Sequence, residues 1–474
     1  MSSVTTSSAT TSMAGSLSPS GISFSGLGSG LDINSIVTQL VNAQGQPQQQ
    51  LLANRQNSLN TTLSALGQLK SGLSSVQTAV DALNNIDLYR TRTVTVGNSA
   101  LLNATASPGT AQGLYQIEVD QLATAQKQVS AGYASASSTV GSGTLNFTTG
   151  SGSFSVNIGA TDSLSTIQSN INAASGNNGV QASIINVDDG SGGTVSKLVL
   201  TSTQTGASNA ITVTAADSDG NNTDASGLSA LASNNLTQVA AAQDAIIKVD
   251  GQQVTSASNT VSSVVTGLTM NLTQAQVGVP TTLTVGTDNS TLTTALQNLV
   301  TQYNSYQTSY SNLTSYDTTS NTAGPLLGDA TANSTNSALR SIFGANISTG
   351  SATVQNLADI GIQIDQNGVM SLNTTKLNSS LQADPSAVRS LLTGTGTGLV
   401  AQVDKQLNPY LQFGGTFDSR TQSINSQLSR LTQQQADLTT NLQQYQKSLL
   451  SQFTAMDSYV AQMNQSLSFL SKLN

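Results

Sequence analysis

Residues 442–470 read LQQYQKSLLSQFTAMDSYVAQMNQSLSFL, and their apolar side chains recur at a fixed spacing. The positions that fall seven residues apart are Leu442, Leu449, Met456, Met463 and Leu470. Leu428 lies on the same grid further upstream, and Gln435 is the only departure from apolar character. An apolar residue at every seventh position gives an α-helix a seam against which another helix packs. The stretch therefore predicts a long helix, from about Phe417 to Leu470, that needs a helical partner.

A second heptad seam lies near the other end of the chain, on the positions Leu52, Leu59, Leu66, Leu73 and Val80. Its helix is predicted to follow Pro47 and to reach about Asn85, a length on the order of 55 Å. A shorter helix is predicted before Pro47, with Asp32 as its N-cap and with one apolar face formed by Ile33, Ile36, Val37, Leu40 and Val41. Two seams on one chain imply that the ends pair with each other or that each pairs with a neighbouring subunit, and the spacing is compatible with both.

The composition excludes several classes of protein. The chain has 474 residues, enough for roughly two to four domains, and contains neither cysteine nor histidine. Thiol nucleophiles, disulfides, the usual zinc sites and the commonest general base near neutral pH are therefore ruled out. Charged residues make up only 8% of the chain, Glu118 is the only glutamate, and the net charge is −8. Because nucleic-acid binding needs clustered Lys and Arg, we expect no nucleic-acid partner.

The sequence also bears on export. No run of about 18 apolar residues occurs in it, so we expect no membrane insertion. Residues 1–20 are rich in Ser and Thr and lack the basic start and the apolar core of a signal peptide. We interpret them as a disordered export tail: if the protein is extracellular, it must leave the cell by a route that recognises an unstructured N-terminus.

From about Arg90 the apolar period changes from seven to two, which is typical of half-buried strands. The clearest alternating stretches are Thr91–Val96, Tyr115–Val119, Phe154–Ile158, Val180–Ile184, Ile211–Val213 and Leu268–Leu272. Residues 249–252, Val-Asp-Gly-Gln, predict a tight hairpin turn, and Leu164, Ile167 and Ile171 predict one amphipathic helix among the strands. Because roughly 200 residues exceed one small sheet, we predict two β-rich domains.

The helical period returns from about Ser290. Tyr303, Tyr306 and Tyr310 share one helix face, where we interpret them as core rather than as a ligand site. The turn at residues 324–330 is expected to cap a further helix, and another short helix is expected to start at Asp384-Pro385.

The fold class that follows is α+β and multidomain, with long terminal helices that form a coiled-coil or helical-bundle leg and two β-rich head domains inserted between them. The predicted segments are the export tail 1–20, an N-terminal leg helix 21–46, the first half of a helical bundle 47–90, a first β-rich domain 91–130 with 240–289, a second β-rich domain 131–239, the second half of the bundle 290–415 and a C-terminal leg helix 416–474.

Two polar loops have the composition of binding motifs without the matching spacing. The glycine-rich segment Gly21–Gly30 follows no predicted strand and has no Lys-Ser/Thr after its last glycine, which argues against a phosphate loop. The acidic loop Asp217–Asp224 has its glycine too early for an EF-hand and no closing glutamate, which favours a solvated loop and leaves calcium as the alternative. We find no carboxylate pair typical of glycosidases, although folding would be able to form one. We predict no catalytic residue, metal site or cofactor.

Nearly the whole chain resembles one family, the bacterial flagellar filament cap proteins, also called hook-associated protein 2. The motifs that carry the resemblance occur in the family's order and lie at Gly28–Val37, Gly324–Ala330, Leu357–Ile362, Asn367-Gly368, Gln452–Asp457, Gln462–Asn464 and Ser468–Leu470. The stretch Phe154–Val213 resembles the repeat module that hook-associated and flagellin-like proteins share.

The resemblance implies a non-enzymatic protein that is exported unfolded through the flagellar type III apparatus. Such proteins form a homo-oligomeric ring at the extracellular tip of the flagellum, where they retain exported flagellin and promote its insertion. The implied partners are other copies of the chain, flagellin, the hook-associated junction proteins and a cytoplasmic export chaperone. The residues we expect at the assembly and flagellin contacts are Leu31, Ile33, Ile36, Val37, Leu40, Leu438, Leu442, Leu449, Phe453, Met456, Val460, Met463, Leu467 and Leu470.

The chain departs from the family in charge, because Gln and Ser stand where Lys, Glu and Asp are usual along both helices. This low charge predicts an assembly that depends little on salt. Two alternative functions stay open: a surface adhesin that binds host glycans through the β-rich head, and another flagellar axial protein such as a junction protein or flagellin. The motifs at 324–329 and 452–457 argue against the second alternative. A glycosidase carried at the tip is a more distant possibility.

Overall fold

A computed structural model describes residues 30–319 and 321–471, without the side chains of residues 470 and 471. The predicted export tail and nearly all of the glycine-rich segment lie outside these described residues. By its internal contacts the chain divides into two units. The helical unit comprises Met1–Asp81, Asn298–Lys376 and Ser386–Asn474, and the β unit comprises Ala82–Gln297 and Leu377–Pro385.

The α-helices of the described residues are α1 Ile33–Asp81, α2 Leu164–Ala173, α3 Ser290–Thr314, α4 Ala330–Phe343, α5 Thr374–Ala383, α6 Pro385–Thr393, α7 Leu399–Leu411 and α8 Thr416–Ser471. Long helices near both ends of the chain are therefore confirmed. Asp32 caps α1, because its Oδ1 accepts a hydrogen bond of 3.1 Å from the backbone N–H of Ser35.

The predicted break at Pro47 is wrong, since α1 runs through this residue as one helix. A proline inside a helix costs about 3 kcal/mol, because it removes one backbone hydrogen bond and its ring crowds the preceding turn. Buried residues lie on both sides of Pro47, from Ile33 to Gly45 and from Ala65 to Val80. Packing along both halves outweighs the local preference to stop.

The core of the helical unit includes two of the three tyrosines predicted there, Tyr303 and Tyr306 of α3, whereas Tyr310 is only half-buried. Tyr303 and Tyr306 are fully buried, and the ring of Tyr303 meets that of Phe343 edge-on with centroids 5.3 Å apart. A Cβ on Gly72 of α1 would lie 3.4 Å from Cδ2 of Tyr306, so α1 and α3 approach closely at this glycine. Burial raises the pKa of the Tyr306 hydroxyl, which therefore stays neutral within the core.

The strands are β1 Arg92–Val96, β2 Leu102–Ala106, β3 Gly113–Gln121, β4 Lys127–Val129, β5 Gly143–Thr149, β6 Gly152–Ile158, β7 Val180–Asp188, β8 Thr194–Ser202, β9 Thr212–Asp217, β10 Thr237–Ala240, β11 Ala245–Val249, β12 Gln252–Ser256, β13 Thr260–Val261, β14 Leu268–Leu272, β15 Thr281–Thr287, β16 Tyr316–Asp317, β17 Thr322–Ala323, β18 Ile362–Ile364 and β19 Met370–Leu372. The last four form two small hairpins in the helical unit.

Two separate apolar cores confirm the expectation of two β-rich regions. The outer β region holds the antiparallel sheets β1-β15-β3-β11-β12 and β13-β14-β2 around a core that includes Ile117 and Leu283. The inserted β region holds the sheets β10-β4-β8-β7 and β6-β5-β9, with α2 against them, around a core that includes Phe147 and Ile167. The inserted region occupies the chain between β3 and β11, so the two regions are nested.

The local signals of the β unit are also confirmed. Asp250 and Gly251 connect β11 to β12 with φ of 49° and 78°, as a two-residue turn with two left-handed positions requires. Ser163 caps α2 by accepting a hydrogen bond from the N–H of Thr166, and Leu164, Ile167 and Ile171 are buried. The predicted domain boundaries remain a proposal.

Candidate assembly surface on the C-terminal helix

Helices α1 and α8 pair with each other in antiparallel fashion within the helical unit. Gly45 lies against Leu442, and Gln56 lies against Gln435, so positions on α8 fall as those on α1 rise. The pairing shows that the two heptad seams meet at least partly within one chain, which is one of the two arrangements the sequence allowed.

The far end of this pair forms a small apolar cluster, which we call the distal cluster. Its buried members are Ile33, Val37, Val41 and Leu442, and the side chains packed against them are Leu438, Leu449, Leu450 and Phe453. A Cβ on Gly45 would lie 2.5 Å from Cδ1 of Leu442, so the leucine occupies the space over this glycine. Ordinary van der Waals packing thus seats α8 directly on the α1 backbone here.

A polar pair lies next to the distal cluster, on the side away from the start of α1. Nε2 of Gln435 donates a hydrogen bond of 3.2 Å to Oε1 of Gln56, and both side chains are half-buried. Gln435 is the one polar residue on the α8 grid, and its partner explains why it is tolerated there. A polar pair within an apolar seam favours one register, because a shifted helix would leave both amides without partners.

Beyond Phe453 the apolar seam of α8 continues without cover from other described residues of its own unit. Met456, Met463 and Leu467 are 46, 50 and 58% exposed, and Val460 is half-buried. We call these four residues the exposed stripe. Because α1 begins at Ile33, which packs in the distal cluster, its helix extends no further along α8. An apolar stripe exposed along a helix is typical of a surface that binds another protein.

The structure brings some of the predicted contact residues together and separates others. Ile33, Val37, Leu438, Leu442, Leu449 and Phe453 lie in the distal cluster. Leu31 and Leu40 are exposed, and Ile36 is half-buried. The side chain of Leu470 lies outside the described residues. Two exposed aromatic residues, Tyr459 and Phe469, lie near the stripe and were not predicted. Neither falls on the seven-residue grid of Leu442, Leu449, Met456 and Met463. The roles of all these residues remain predictions.

Charge contributes little to this surface. Between residues 438 and 471 the sequence carries only Lys447 and Asp457 as charged residues. Serine and threonine hydroxyls in this part of α8, such as those of Thr454 and Ser458, donate to backbone carbonyls four residues earlier. The surface thus offers apolar side chains set among neutral polar ones, and a partner would recognise it by packing.

The acidic loop between β9 and the following turn satisfies its own carboxylates. Oδ2 of Asp217 accepts a hydrogen bond of 2.8 Å from the N–H of Ser229, and Asp224 accepts from the hydroxyls of Ser226 and Ser229. These hydroxyls, first that of Ser229, lower the pKa of Asp224. Among the described residues no group of three or more His, Cys, Asp or Glu side chains could hold a metal ion. Within the same residues, no helix is long and apolar enough to cross a membrane.

Comparison with known protein families gives three matches along the chain. Residues 29–126 match the flagellar hook-associated protein 2 N-terminus, and residues 242–465 match the flagellar hook-associated protein 2 C-terminus. Residues 144–204, within the inserted β region, match the flagellin hook IN motif. This last match agrees with the resemblance to a shared module seen in the sequence.

Similar proteins cover nearly the whole chain. The A-type flagellar hook-associated protein 2 of Pseudomonas aeruginosa is 31% identical over 461 residues, which are 93% of this chain and 94% of the relative. The flagellar hook-associated protein 2 of Escherichia coli K12 is 32% identical, with 95 and 97% covered. The crystal structure of the D1-D2-D3 domains of the flagellar cap protein FliD from Escherichia coli matches with a TM-score of 0.59 at 32% identity, over 76% of this chain and 99% of that one. The α+β multidomain fold is shared, and this chain belongs to the flagellar hook-associated protein 2 family.

Proposed function

We propose that this protein caps the flagellar filament as a homo-oligomer, retains exported flagellin at the tip and promotes its insertion, without enzymatic chemistry. Membership of the hook-associated protein 2 family, and the similarity to the FliD of Escherichia coli, which is described as a flagellar cap protein, support this proposal. For this chain, the observation that supports the proposal is the exposed stripe on α8. It continues the seam of the coiled coil past Ile33, where α1 begins. A helix that ends as an unpaired seam is suited to receive another helix.

The proposed mechanism is non-covalent exchange. Fully burying one Leu-sized or Met-sized side chain contributes about 1.5–3 kcal/mol, and the stripe offers only four side chains, three of them about half exposed. Their gain falls at the low end of the roughly 4–15 kcal/mol that association costs in lost freedom of motion. A single stripe therefore binds weakly, and several copies in a ring hold the tip together through multivalency. Weak contacts allow each leg to release one flagellin subunit and to engage the next.

The partners that follow from this function are other copies of the chain, flagellin, the hook-associated junction proteins and an export chaperone that covers the exposed stripe before secretion. The location that follows is the extracellular tip of the flagellum. The adhesin alternative has no observation in its favour beyond the presence of the two β regions.

A deletion strain tests the capping function most directly. We expect cells without this gene to release flagellin monomers into the medium and to carry no filaments, because exported flagellin is no longer retained at the tip. Reintroducing the gene should restore the filaments, as scored by electron microscopy and by the amount of flagellin in the culture supernatant. Normal filaments in the deletion strain would overturn the proposal and would favour the adhesin alternative.

Salt dependence provides a second test. Because residues 438–471 carry only Lys447 and Asp457, we expect the affinity of the protein for filament ends to change less than about threefold between 50 and 500 mM NaCl. Sedimentation of purified protein with filaments measures this affinity. A steep fall in this affinity as the NaCl concentration rises would show that ion pairs elsewhere in the chain form the contact.

A further inference from the structure

The apolar seam of α8 continues past the point where α1 stops covering it, and the exposed stripe is its second half. Leu442, Leu449, Met456 and Met463 lie on one seven-residue grid, the first two within the distal cluster and the last two exposed. The same face of α8 is therefore apolar from Leu438 to Leu467, and the start of α1 occupies only its first half. We propose that the first turns of α1, Ile33–Val41, act as an internal competitor that an incoming flagellin helix displaces from α8. This inference rests on the proposed capping function and names how its site is regulated.

The length of the seam supports displacement. The exposed stripe from Met456 to Leu467 spans roughly 18 Å of helix, about three turns. A contact of this length buries only four apolar side chains, so its gain barely offsets the freedom of motion lost on association. With α1 removed, the seam from Leu438 to Leu467 covers about four heptads, which is typical of a stable coiled coil. A partner helix gains most of its contact only by taking the place of α1.

The first turns of α1 are able to separate from α8 as a unit. Gly45 packs on Leu442 at the inner edge of the distal cluster, and Pro47 follows it two residues later. Because a proline removes one backbone hydrogen bond of the helix, Pro47 forms a natural hinge, with Gly45 on the part that moves. The Gln56–Gln435 pair lies further along α1, beyond Pro47. Because its hydrogen bond is lost if the helices separate further, opening is expected to stop there.

The chemistry of the uncovered seam specifies the partner. Within residues 438–467 the charges are limited to Lys447 and Asp457. The partner must therefore be a helix with apolar residues at heptad spacing and few charges on its binding face, as α1 itself is between Ile33 and Val41. In a filament cap, the helix presented repeatedly to this surface is that of the incoming flagellin subunit, which is the occupant we propose.

A reversible disulfide tests displacement, and the chain suits it because it contains no cysteine. In the double variant Gly45→Cys/Leu442→Cys, the new Cβ at position 45 lies 3.4 Å from the place of Leu442 Cγ, where the second sulfur would sit. This separation is close to that across a disulfide. Oxidation would lock α1 onto α8, and dithiothreitol would release it, so one protein serves as test and control.

The measurement is binding of the full-length variant to the ends of filaments polymerised from purified flagellin, counted by electron microscopy and titrated by sedimentation. We expect the oxidised form to bind at least tenfold more weakly than the reduced form, which is the proper reference because both forms lack the Leu442 side chain and differ only in the disulfide. Equal binding by both redox forms, with the disulfide verified by mass spectrometry, would overturn displacement while the capping function stands. If the unmodified protein also fails to bind filament ends, the capping function itself has failed.

A second variant covers the case in which the cysteine pair binds poorly even when reduced. Pro47→Ala restores the missing N–H and stiffens the hinge, so we expect binding to filament ends to weaken several-fold with no covalent lock. Unchanged or tighter binding by this variant would overturn the proposal.

Sedimentation of the cysteine variant without filaments tests whether a second copy of the chain, rather than flagellin, occupies the seam. Self-association that is lost on oxidation, with binding to filament ends unchanged, would assign the seam to a second copy and overturn flagellin as the occupant.

Discussion

Ending the chain after Ser448 is expected to abolish filament capping while both β regions stay folded. The truncation removes Phe453 and the whole exposed stripe, and it takes away much of the cover of Ile33 and Val37 in the distal cluster. The cores of the two β regions contain no residue of α8. Filament formation in the complemented deletion strain, together with the thermal unfolding of the purified protein by circular dichroism, would measure the two effects separately.

A substitution series narrows this result to the apolar face. The triple variant Met456→Ser/Met463→Ser/Leu467→Ser should lower binding to filament ends by at least tenfold, because it removes apolar area that only a partner can bury. The matched control Gln462→Ser/Gln465→Ser changes exposed residues elsewhere around the same helix turns and should leave binding unchanged. Capped filaments from the truncated chain would contradict the role given to α8. Equal losses in the two variant sets would assign the effect to helix stability instead.

The sequence predicted the features of this fold that depend on local periodicity. The seven-residue grids predicted α1 and α8, the N-cap at Asp32 was correct, and alternation of period two predicted a β-rich middle. These signals are strong because each residue's environment repeats along the element, so many positions report the same structure. Pro47 was misinterpreted because a local rule was applied where packing on both sides of the proline prevails.

Helix α7, Leu399–Leu411, was not predicted at all. It follows a glycine-rich turn with Gly394, Gly396 and Gly398, and it contains Pro409 two residues before its end. Both features are typical of loops. The signal that could have revealed it is the spacing of Val400, Val403 and Leu407, all of which are buried. Three apolar residues over two turns are a weak pattern, which explains the omission.

The candidate surface was predicted only in part, since which seam residues are covered depends on long-range register. The grid predicted the face of α8, but not that α1 covers it as far as Phe453 and leaves the next turns exposed. That limit is set by the pairing of Gly45 with Leu442 and of Gln56 with Gln435, residues nearly 400 positions apart in the chain. Nothing in the spacing of either helix alone specifies this antiparallel register.

Replacing Phe147 by alanine is expected to lower the free energy of unfolding of the inserted β region by about 3–5 kcal/mol. Phe147 is fully buried, and its ring stacks on that of Phe154 across the β5–β6 pair, with centroids 4.7 Å apart and planes 4° from parallel. The variant loses the buried ring, leaves a cavity and breaks an aromatic pair. Urea unfolding of the full-length protein, followed by circular dichroism, would measure the change.

Thr148, an exposed neighbour of Phe147, provides the control for this prediction. Binding to filament ends shows whether the loss of stability affects function. Thr148→Ala lies on the same strand and should change the free energy of unfolding by less than about 1 kcal/mol. We expect Phe147→Ala to keep its affinity for filament ends, because the exposed stripe belongs to the other unit. A loss of binding that parallels the loss of stability would place the inserted β region within the capping contact and would refute a contact made by α8 alone.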